Sequence, residues 1–413
     1  MKSWNQVSIP SLSPEITFPE LFLTNSATSS KQSLGSKDLY RMYVCGITPY
    51  DATHLGHAAT YLSFDLVNRY LRASGAQVHY VQNITDIDDP LLARAQRDGV
   101  GWRELAEQQI DLFRSDMNAL RVIPPKDYIG VVEAIPLVSS AIEELQKRGS
   151  VYLVDSDLYF SVHQDPDFGS RSHLNSHEML AIFAERGGDP DRVGKQDPLD
   201  PLLWLAKREN EPGWDSRYGT GRPGWHIECT AIAIEYLQPN LQDEALIDIQ
   251  GGGSDLIFPH HEMCAAQGFV LSGKPFANNY VHAGMMGLDG EKMSKSKGNL
   301  VLVSKLIAQG SDPMAIRWAL LADSYRADRM WSEELLNVAN SAIQRLKLVL
   351  AGESMANTDE LISQMVALLA DDLNTPAVFA VIDVWVEQSL AGATGGDGNQ
   401  ISAALDALLG FKF

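Results

Sequence analysis

Two short runs in this 413-residue chain carry side chains suited to holding the phosphates of a nucleotide. The first is His54-Leu55-Gly56-His57, and the second is Lys292-Met293-Ser294-Lys295-Ser296. Imidazoles donate hydrogen bonds to phosphate oxygens, and lysines stabilise the charge that develops on departing pyrophosphate. Either run alone is more often a pair of surface histidines or a solvated loop. Because both are present, we interpret them as two halves of an ATP site, with these histidines and lysines as its catalytic residues.

The residues around the first run predict a strand followed by a helix. Residues 39–45 are apolar and β-prone, residues 46–53 are turn-rich, and apolar side chains recur every three or four positions from His54 onward. Such a strand brings the chain to a helix N-terminus, where free N–H groups and the helix dipole attract phosphate. The second run is predicted to lie on a mobile loop rich in glycine and serine, residues 287–298.

The cysteines suggest a metal. Cys45, Cys229 and Cys264 are the three cysteines of the chain, a count that argues against a disulfide framework and for a reduced, intracellular protein. His260 and Cys264 would share one face if their segment is helical. Thiolates together with an imidazole suit Zn²⁺. The alternative is three buried apolar cysteines, and the spacing leaves both interpretations open.

Composition and charge restrict the kinds of partner that this chain is expected to bind. The formal net charge is -20 and the pI is about 4.8, so a broad basic surface for a polyanion is not expected. No window approaches the ~18 apolar residues of a membrane helix, and residues 1–16 lack the apolar region of a signal peptide. We therefore expect a cytoplasmic protein that does not bind membranes.

Proline and glycine residues mark the boundaries of four predicted segments of the chain. They are the first half of a nucleotide-binding α/β domain (1–123), a connective insertion (124–195), the second half of that domain with the Lys292 loop (196–303), and a C-terminal helical domain (304–413). Ligand sites lie at the carboxyl ends of parallel strands, where Cys45, Thr85 and Gly251 are predicted to fall. The Ser/Thr-rich stretch from Thr24 to Ser36 is predicted to be a mobile loop.

Several long motifs, spread over most of the chain, resemble those of the cysteinyl-tRNA synthetases. Besides the two phosphate runs they are YVCGIT at 43–48, NITDIDD at 83–89, GRPGWHIEC at 221–229, GGGSDL at 251–256 and FPHHE at 258–262. The resemblance implies an α/β fold: a class I aminoacyl-tRNA synthetase-like Rossmann catalytic domain with an inserted connective domain and a C-terminal helical bundle. It also implies use of ATP with Mg²⁺ and one Zn²⁺ per chain.

The same resemblance implies roles for individual residues. Zinc ligands of the family map onto Cys45, Cys229 and His260, and the family's fourth ligand, a glutamate, falls on Cys264. Thr48, Thr85, Trp225 and Asp255 map onto contacts to the ammonium or carboxylate of cysteine. The full set implied to bind cysteinyl-adenylate is Cys45, Gly46, Ile47, Thr48, Thr60, Asn83, Ile84, Thr85, Trp225, Gly253, Ser254, Asp255 and Met286.

Four departures point to a paralogous family, the bacterial cysteine ligases of mycothiol biosynthesis. Pro49 follows Thr48, Pro90 ends the aspartate-rich run, Gln250 precedes the triple glycine, and residues 185–190 form a Gly-rich element. This closer resemblance implies that L-cysteine is activated with ATP and transferred to the amine of glucosaminyl-inositol, by a monomer that does not use tRNA.

Helical patterns follow the Lys292 run and stop at Phe413, which leaves no length for the anticodon-reading module of a tRNA synthetase. Two other functions stay open from the sequence. One is a cysteinyl-tRNA synthetase lacking an anticodon-binding domain. The other is a non-catalytic cysteine-binding paralogue, although such a protein would be expected to lose the ATP motifs.

Overall fold

The computed structural model describes residues 1–50, 53–238, 242–293 and 298–413, with the backbone alone of Lys292. Its strands are β1 (Phe22–Asn25), β2 (Ser30–Ser33), β3 (Leu39–Val44), β4 (Gln77–Ile84), β5 (Asp127–Gly130), β6 (Val151–Val154), β7 (Asp157–Phe160), β8 (Leu202–Ala206), β9 (Gly221–Pro223), β10 (Ile247–Gly253), β11 (Ala277–Ala283), β12 (Met286–Leu288), β13 (Glu291–Lys292) and β14 (Arg329–Trp331). Its helices are α1 (Leu55–Ala73), α2 (Asp89–Asp98), α3 (Trp102–Ala119), α4 (Val131–Lys147), α5 (Ser176–Glu185), α6 (Trp225–Leu237), α7 (Glu262–Ser272), α8 (Val303–Ala308), α9 (Pro313–Leu321), α10 (Glu333–Leu350), α11 (Thr358–Ala370), α12 (Thr375–Leu390) and α13 (Gly398–Leu409).

A five-stranded parallel sheet forms the centre, in the order β11-β10-β3-β4-β5. Helix α1 packs on one face with Phe64 against β10, where a side chain at Gly251 would lie 2.3 Å from the Phe64 ring. Helices α6 and α7 cover the other face around Tyr43 and Cys45. Because the strands are parallel, their carboxyl ends meet at one edge, and the site is built there.

Strands β6 and β7 of the insertion join β8 and β9, which follow residue 195, in a smaller antiparallel sheet. Its order is β6-β7-β8-β9, and it packs with α4, α5 and α6 around a separate core that includes the fully buried Trp204. Helix α4 and the β6-β7 hairpin both lie within residues 124–195. Strand β5, at Asp127–Gly130, pairs with β4 in the central sheet although the sequence division placed it in the insertion.

Two loop predictions were wrong. The stretch from Thr24 to Ser36 contains the β1-β2 hairpin, because the buried Asn25 side chain bonds Gln32 and the backbone of β11 and so ties the hairpin down. Part of the 287–298 loop is also ordered: β13 pairs with β12 across a turn in which Asp289 and Gly290 adopt positive φ.

No helix among the described ranges is both long and apolar enough to span a lipid bilayer.

Asp116, buried on α3, makes stability depend on pH. Burial raises the pKa of its carboxyl to about 7, against a smaller lowering from the Thr53 hydroxyl. Because an aspartate in the unfolded chain titrates near pH ~4, the folded state retains a proton that the unfolded state has lost between these values. The free energy of unfolding should therefore fall as pH rises through that window.

We expect Asp116→Asn, neutral at every pH, to become more stable than the wild type at pH 8 and comparable to it at pH 5. The measurement is the melting temperature at both values. Asp111→Asn changes an exposed carboxyl of the same helix and should track the wild type. Identical pH dependence in wild type and Asp116→Asn would contradict the assigned pKa.

Candidate active site

A cavity of about 370 Å³ opens at the carboxyl edge of the central sheet. One end is formed by the residues that follow β3, by Trp225 and by the turn after β10; the other is formed by the start of α1 and the segment around β12. The lining residues are Cys45, Gly46, Ile47, Thr48, Tyr50, His54, Gly56, His57, Thr60, Tyr61, Trp225, Gly253, Asp255, Leu256, Gly284, Met285, Met286, Met293 and Leu300.

Strands β3 and β4 are locked together beside this cavity. The Asn83 side-chain oxygen accepts from the Gly46 amide at 2.7 Å and from the Tyr43 hydroxyl at 3.1 Å, while its amide group donates to Thr85 at 3.2 Å. Position 46 must be glycine, since a Cβ there would lie 1.7 Å from the Asn83 carbonyl oxygen. The bend leaves Cys45 at the cavity wall.

Behind this wall the side chains of Cys45, Cys229 and His260 converge. Their ligand atoms all lie within 4.8 Å of one another, and all three residues are buried. His260 Nε2 is 3.2 Å from Cys229 Sγ, and the Trp225 ring stacks on the His260 ring with centroids 4.4 Å apart. Cys229 lies on α6 and His260 in the turn before α7, so the zinc residues implied by the resemblance are brought together from three elements.

Cys264 lies beside this group. Its thiol donates to the His226 carbonyl at 3.3 Å, and its Sγ is 3.8 Å from His260 Nε2. The segment that joins them is a π-helical turn, Ile257–His261, followed by α7, so the predicted i, i+4 proximity holds although one regular helix does not.

The residues of this cluster shift one another's pKa values. Burial and the hydrogen bond to Cys229 raise the pKa of Cys45 well above the usual thiol value. Burial acts in the same direction on Cys229, yet its contacts with Cys45 and the His260 ring hold the pKa of that thiol well below the ordinary value. Burial lowers the pKa of His260, but the neighbouring Cys264 and Cys229 raise it to about 10. The site therefore favours a thiolate at Cys229.

Three histidines that were not assigned from the sequence orient the cluster. His226 Nδ1 lies 3.0 Å from His260 Nδ1, which leaves His260 Nε2 facing Cys229. His261 Nε2 lies 3.2 Å from Cys45 Sγ, and its Nδ1 lies 2.7 Å from His282 Nε2. Ligating atoms in metal sites are commonly oriented by such outer contacts. The adjacent histidines at 260 and 261 were the feature of the sequence that could have pointed to His261. No feature of the sequence pointed to His282, on β11.

At the other end, the start of α1 faces the cavity. His54 is the N-cap and accepts from the Gly56 amide through Nδ1 at 3.1 Å, and its ring stacks on His57 with centroids 3.7 Å apart. Burial lowers the pKa of His57 well below its usual value, so the ring is neutral at pH 7. The first turn of this 19-residue helix lines the cavity at Gly56 and His57, and the positive end of the helix dipole there is an attractive position for phosphate.

The start of α1 is also tied to the segment that follows the Lys292 run. The Leu55 amide donates to the Val301 carbonyl at 2.9 Å, and the Val303 amide donates to the Thr53 carbonyl at 3.3 Å. The backbone of Lys292 lies in β13, anchored through β12 to the central region. Lys295 lies outside the described residues, so its catalytic role stays a prediction.

Most of the residues expected to contact the adenylate line the cavity, including Thr48, Thr60, Asp255 and Met286. Asn83, Ile84, Thr85 and Ser254 are not among the lining residues, although Asn83 and Thr85 support the wall through the Gly46 bend. Sequence reasoning missed the lining residues Tyr50, Tyr61, Leu256, Gly284, Met285 and Leu300.

Comparison with known proteins agrees with this architecture. Residues 31–341 match the family model described as "tRNA synthetases class I (C) catalytic domain". The L-cysteine:1D-myo-inositol 2-amino-2-deoxy-alpha-D-glucopyranoside ligase of Thermomonospora curvata is 52% identical over 418 residues, covering 99% of each chain. The similarly named protein of Nakamurella multipartita is 54% identical over 417 residues, covering 100% of each.

The chain belongs to this ligase family. Within the ligase family, the correspondingly named protein of Streptomyces coelicolor is 50% identical over 414 residues and is covered over 99% of its length, as is this chain. Among solved structures, Mycobacterium tuberculosis methionyl-tRNA synthetase in complex with methionyl-adenylate superposes with a TM-score of 0.60, 15% identity and 90% coverage of both chains. That likeness establishes the class I aminoacyl-tRNA synthetase-like fold that the sequence predicted.

Proposed function

We propose that this protein activates L-cysteine with ATP as cysteinyl-adenylate and transfers the cysteinyl group to the amine of glucosaminyl-inositol, forming an amide, AMP and pyrophosphate. The observation that carries the proposal is a single cavity that has a buried thiol and imidazole cluster at one end and the N-terminus of α1 at the other. An amino acid with a thiol side chain and a nucleotide can meet there.

Zn²⁺ fits the cluster, because two thiol groups and one imidazole converge and all three are buried. We assign Cys45, Cys229 and His260 as its ligands, with Cys264 outside the set. Bound there, zinc would supply a soft Lewis acid with a coordination position for a thiolate, for which a hydroxyl is a poor substitute.

The remaining side chains hold the substrate. Trp225 packs beside the cysteine side chain, since its ring covers His260 and faces the cavity. Asp255, in the wall of the same cavity, pairs with the substrate ammonium, and Thr48 contacts the backbone atoms of the amino acid. Held in this way, the carboxylate is presented toward the nucleotide end.

His54 and His57 donate to the phosphates of ATP, which enters with Mg²⁺, and the positive end of the α1 dipole attracts those phosphates. The cysteine carboxylate attacks the α-phosphate, and Lys292 and Lys295 stabilise the departing pyrophosphate. In the second step the amine of the amino sugar attacks the adenylate carbonyl, and AMP departs. We propose that the enzyme acts as a monomer and does not use tRNA.

The acceptor provides the direct test. Purified, zinc-loaded protein supplied with ATP, L-cysteine and glucosaminyl-inositol should release AMP in proportion to the cysteinyl amide formed, detected by mass spectrometry. Transfer RNA in place of the amino sugar should accept no cysteine. ATP–pyrophosphate exchange should proceed without either acceptor, because adenylation precedes transfer. Cysteinyl-tRNA as the product, without amide, would overturn the proposal in favour of a tRNA synthetase.

A further inference from the structure

Residues of the insertion form hydrogen bonds with both ends of the turn that carries Asp255 and His260. Before His260, the guanidinium of Arg186 donates from Nη1 to the backbone carbonyls of both Asp255 and Phe258. After it, the buried Glu262 carboxylate accepts from the backbone amides of residues 169 and 172 and from Arg171, each at 2.9 Å. A segment distant in sequence therefore holds both ends of the substrate-facing turn.

The Gly-rich element at 185–190 explains how Arg186 reaches this turn. Helix α5 ends at Glu185, and Gly187 follows with φ +87, a conformation that favours glycine. Gly188 donates to the Phe183 carbonyl at 2.8 Å, and a Cβ at Gly188 would lie 2.5 Å from the Phe183 ring. The chain therefore reverses tightly over Phe183 and directs Arg186 to the turn rather than to solvent.

The two hydrogen bonds from Arg186 hold a short backbone segment whose own hydrogen bonds are weak. Residues Ser254–Leu256 form one turn of 3-10 helix, whose hydrogen bonds are weaker than those of an α-helix. Charge-assisted donation from an arginine to the carbonyls of residues 255 and 258 holds both sides of this turn in one position. The backbone of Asp255 sets where its carboxylate stands in the cavity wall.

We propose that Arg186 is a positioning residue that sets selectivity for the α-ammonium of the amino-acid substrate by holding Asp255 in place. The inference rests on the proposed function, in which Asp255 pairs with that ammonium. It gives a role to the Gly-rich element that distinguishes this chain from the tRNA enzymes.

The test compares two thiol ligands that differ in the ammonium: L-cysteine and 3-mercaptopropionate, which lacks the α-amino group. Calorimetry on zinc-loaded protein under reducing conditions should show Arg186→Gln weakening cysteine binding about tenfold, the scale of one lost interaction with a charged group. Binding of 3-mercaptopropionate should be unchanged, as should the KM for ATP in pyrophosphate exchange. Arg186→Lys, which keeps one charged donor, should restore part of the cysteine affinity.

Arg192→Gln is the matched control, because Arg192 belongs to the same part of the insertion and bonds Tyr159 and the Val154 carbonyl instead. It should leave the ratio of the two affinities unchanged even if melting temperature falls. In an Asp255→Asn background, Arg186→Gln should add no further loss. An unchanged ratio in Arg186→Gln, or a loss that persists without the Asp255 carboxylate, would overturn the inference. Amide formation with glucosaminyl-inositol tests the proposed function separately.

Discussion

Replacing Cys229 with alanine is expected to abolish zinc retention and, with it, activation of cysteine. Its Sγ lies 3.2 Å from His260 Nε2, and its neighbours favour the thiolate that a zinc ligand must provide. Removing it leaves Cys45 and His260, a pair too small for a closed protein site. Elemental analysis of the purified variant should find zinc well below one per chain, and cysteine-dependent pyrophosphate exchange should be lost.

Cys264→Ser is the matched control. Cys264 is as buried as Cys229 and lies beside the same imidazole, but its thiol donates to the His226 carbonyl, a bond that a serine hydroxyl can replace. We expect this variant to keep zinc and considerable activity. Stoichiometric zinc in Cys229→Ala would refute the ligand assignment, and complete zinc loss in Cys264→Ser would make Cys264 a fourth ligand.

Local periodicity was sufficient to predict much of the fold. Strand β3, helix α1 and the helices α4, α10 and α11 all follow runs in which apolar residues recur at the spacing of the element. The hairpin β1-β2 was missed because its Ser and Thr residues resemble a loop. What orders it is Asn25, whose partners on β11 lie more than 250 positions away.

The candidate site likewise has parts that could be predicted from the sequence and parts that could not. The phosphate runs could be proposed because each is a short run of adjacent residues, whereas the cysteines were connected to zinc through the resemblance, since their spacing left that question open. The contacts that aim those side chains could not be predicted, since they join residues far apart in the chain: His261 with His282, and Arg186 with the carbonyl of Asp255. Every residue type has a backbone carbonyl that can accept a hydrogen bond. The identity of a residue therefore does not show in advance that its carbonyl will bond a distant arginine.

Another long-range connection joins the helix of the first phosphate run to the C-terminal helices. Asp65, on α1, is fully buried between Arg69 and Arg317, and both arginines are inaccessible to solvent. Its second oxygen accepts from the Ile123 amide at 2.8 Å. The arginines also donate to backbone carbonyls on α13, at residues 406 and 409, and in the 120–121 turn. Asp65 thus shares its charge between two arginines where four chain segments meet, and Asp406 supplies a second carboxylate to Arg69 at 3.7 Å.

This carboxylate stays charged despite its burial. Burial alone would raise the pKa of Asp65, but Arg69 and Arg317 together hold it below the ordinary value. Its contribution to stability is therefore present above the unfolded-state pKa near ~4 and is lost as pH falls through the folded-state value. Between pH 5 and 8 the junction should be insensitive to pH, so a substitution there can be measured without interference from titration.

We expect Asp65→Asn to lower the free energy of unfolding by about 3–5 kcal/mol, because it removes the carboxylate that pairs with the buried Arg317 and leaves the buried Arg69 with Asp406 alone, 3.7 Å away. A loss of that size is comparable to the whole stability of many domains, so a marked fall in melting temperature and in expression should accompany it. Urea denaturation followed by circular dichroism measures the change. Asp98→Asn removes an exposed carboxylate that pairs with Arg94 and Arg97, and it should leave the transition in place. If Asp65→Asn proves no more damaging than Asp98→Asn, the backbone carbonyls and Asp406 must be sufficient partners for the two buried arginines, and the Asp65 carboxylate would not be the element that joins α1 to the C-terminal helices.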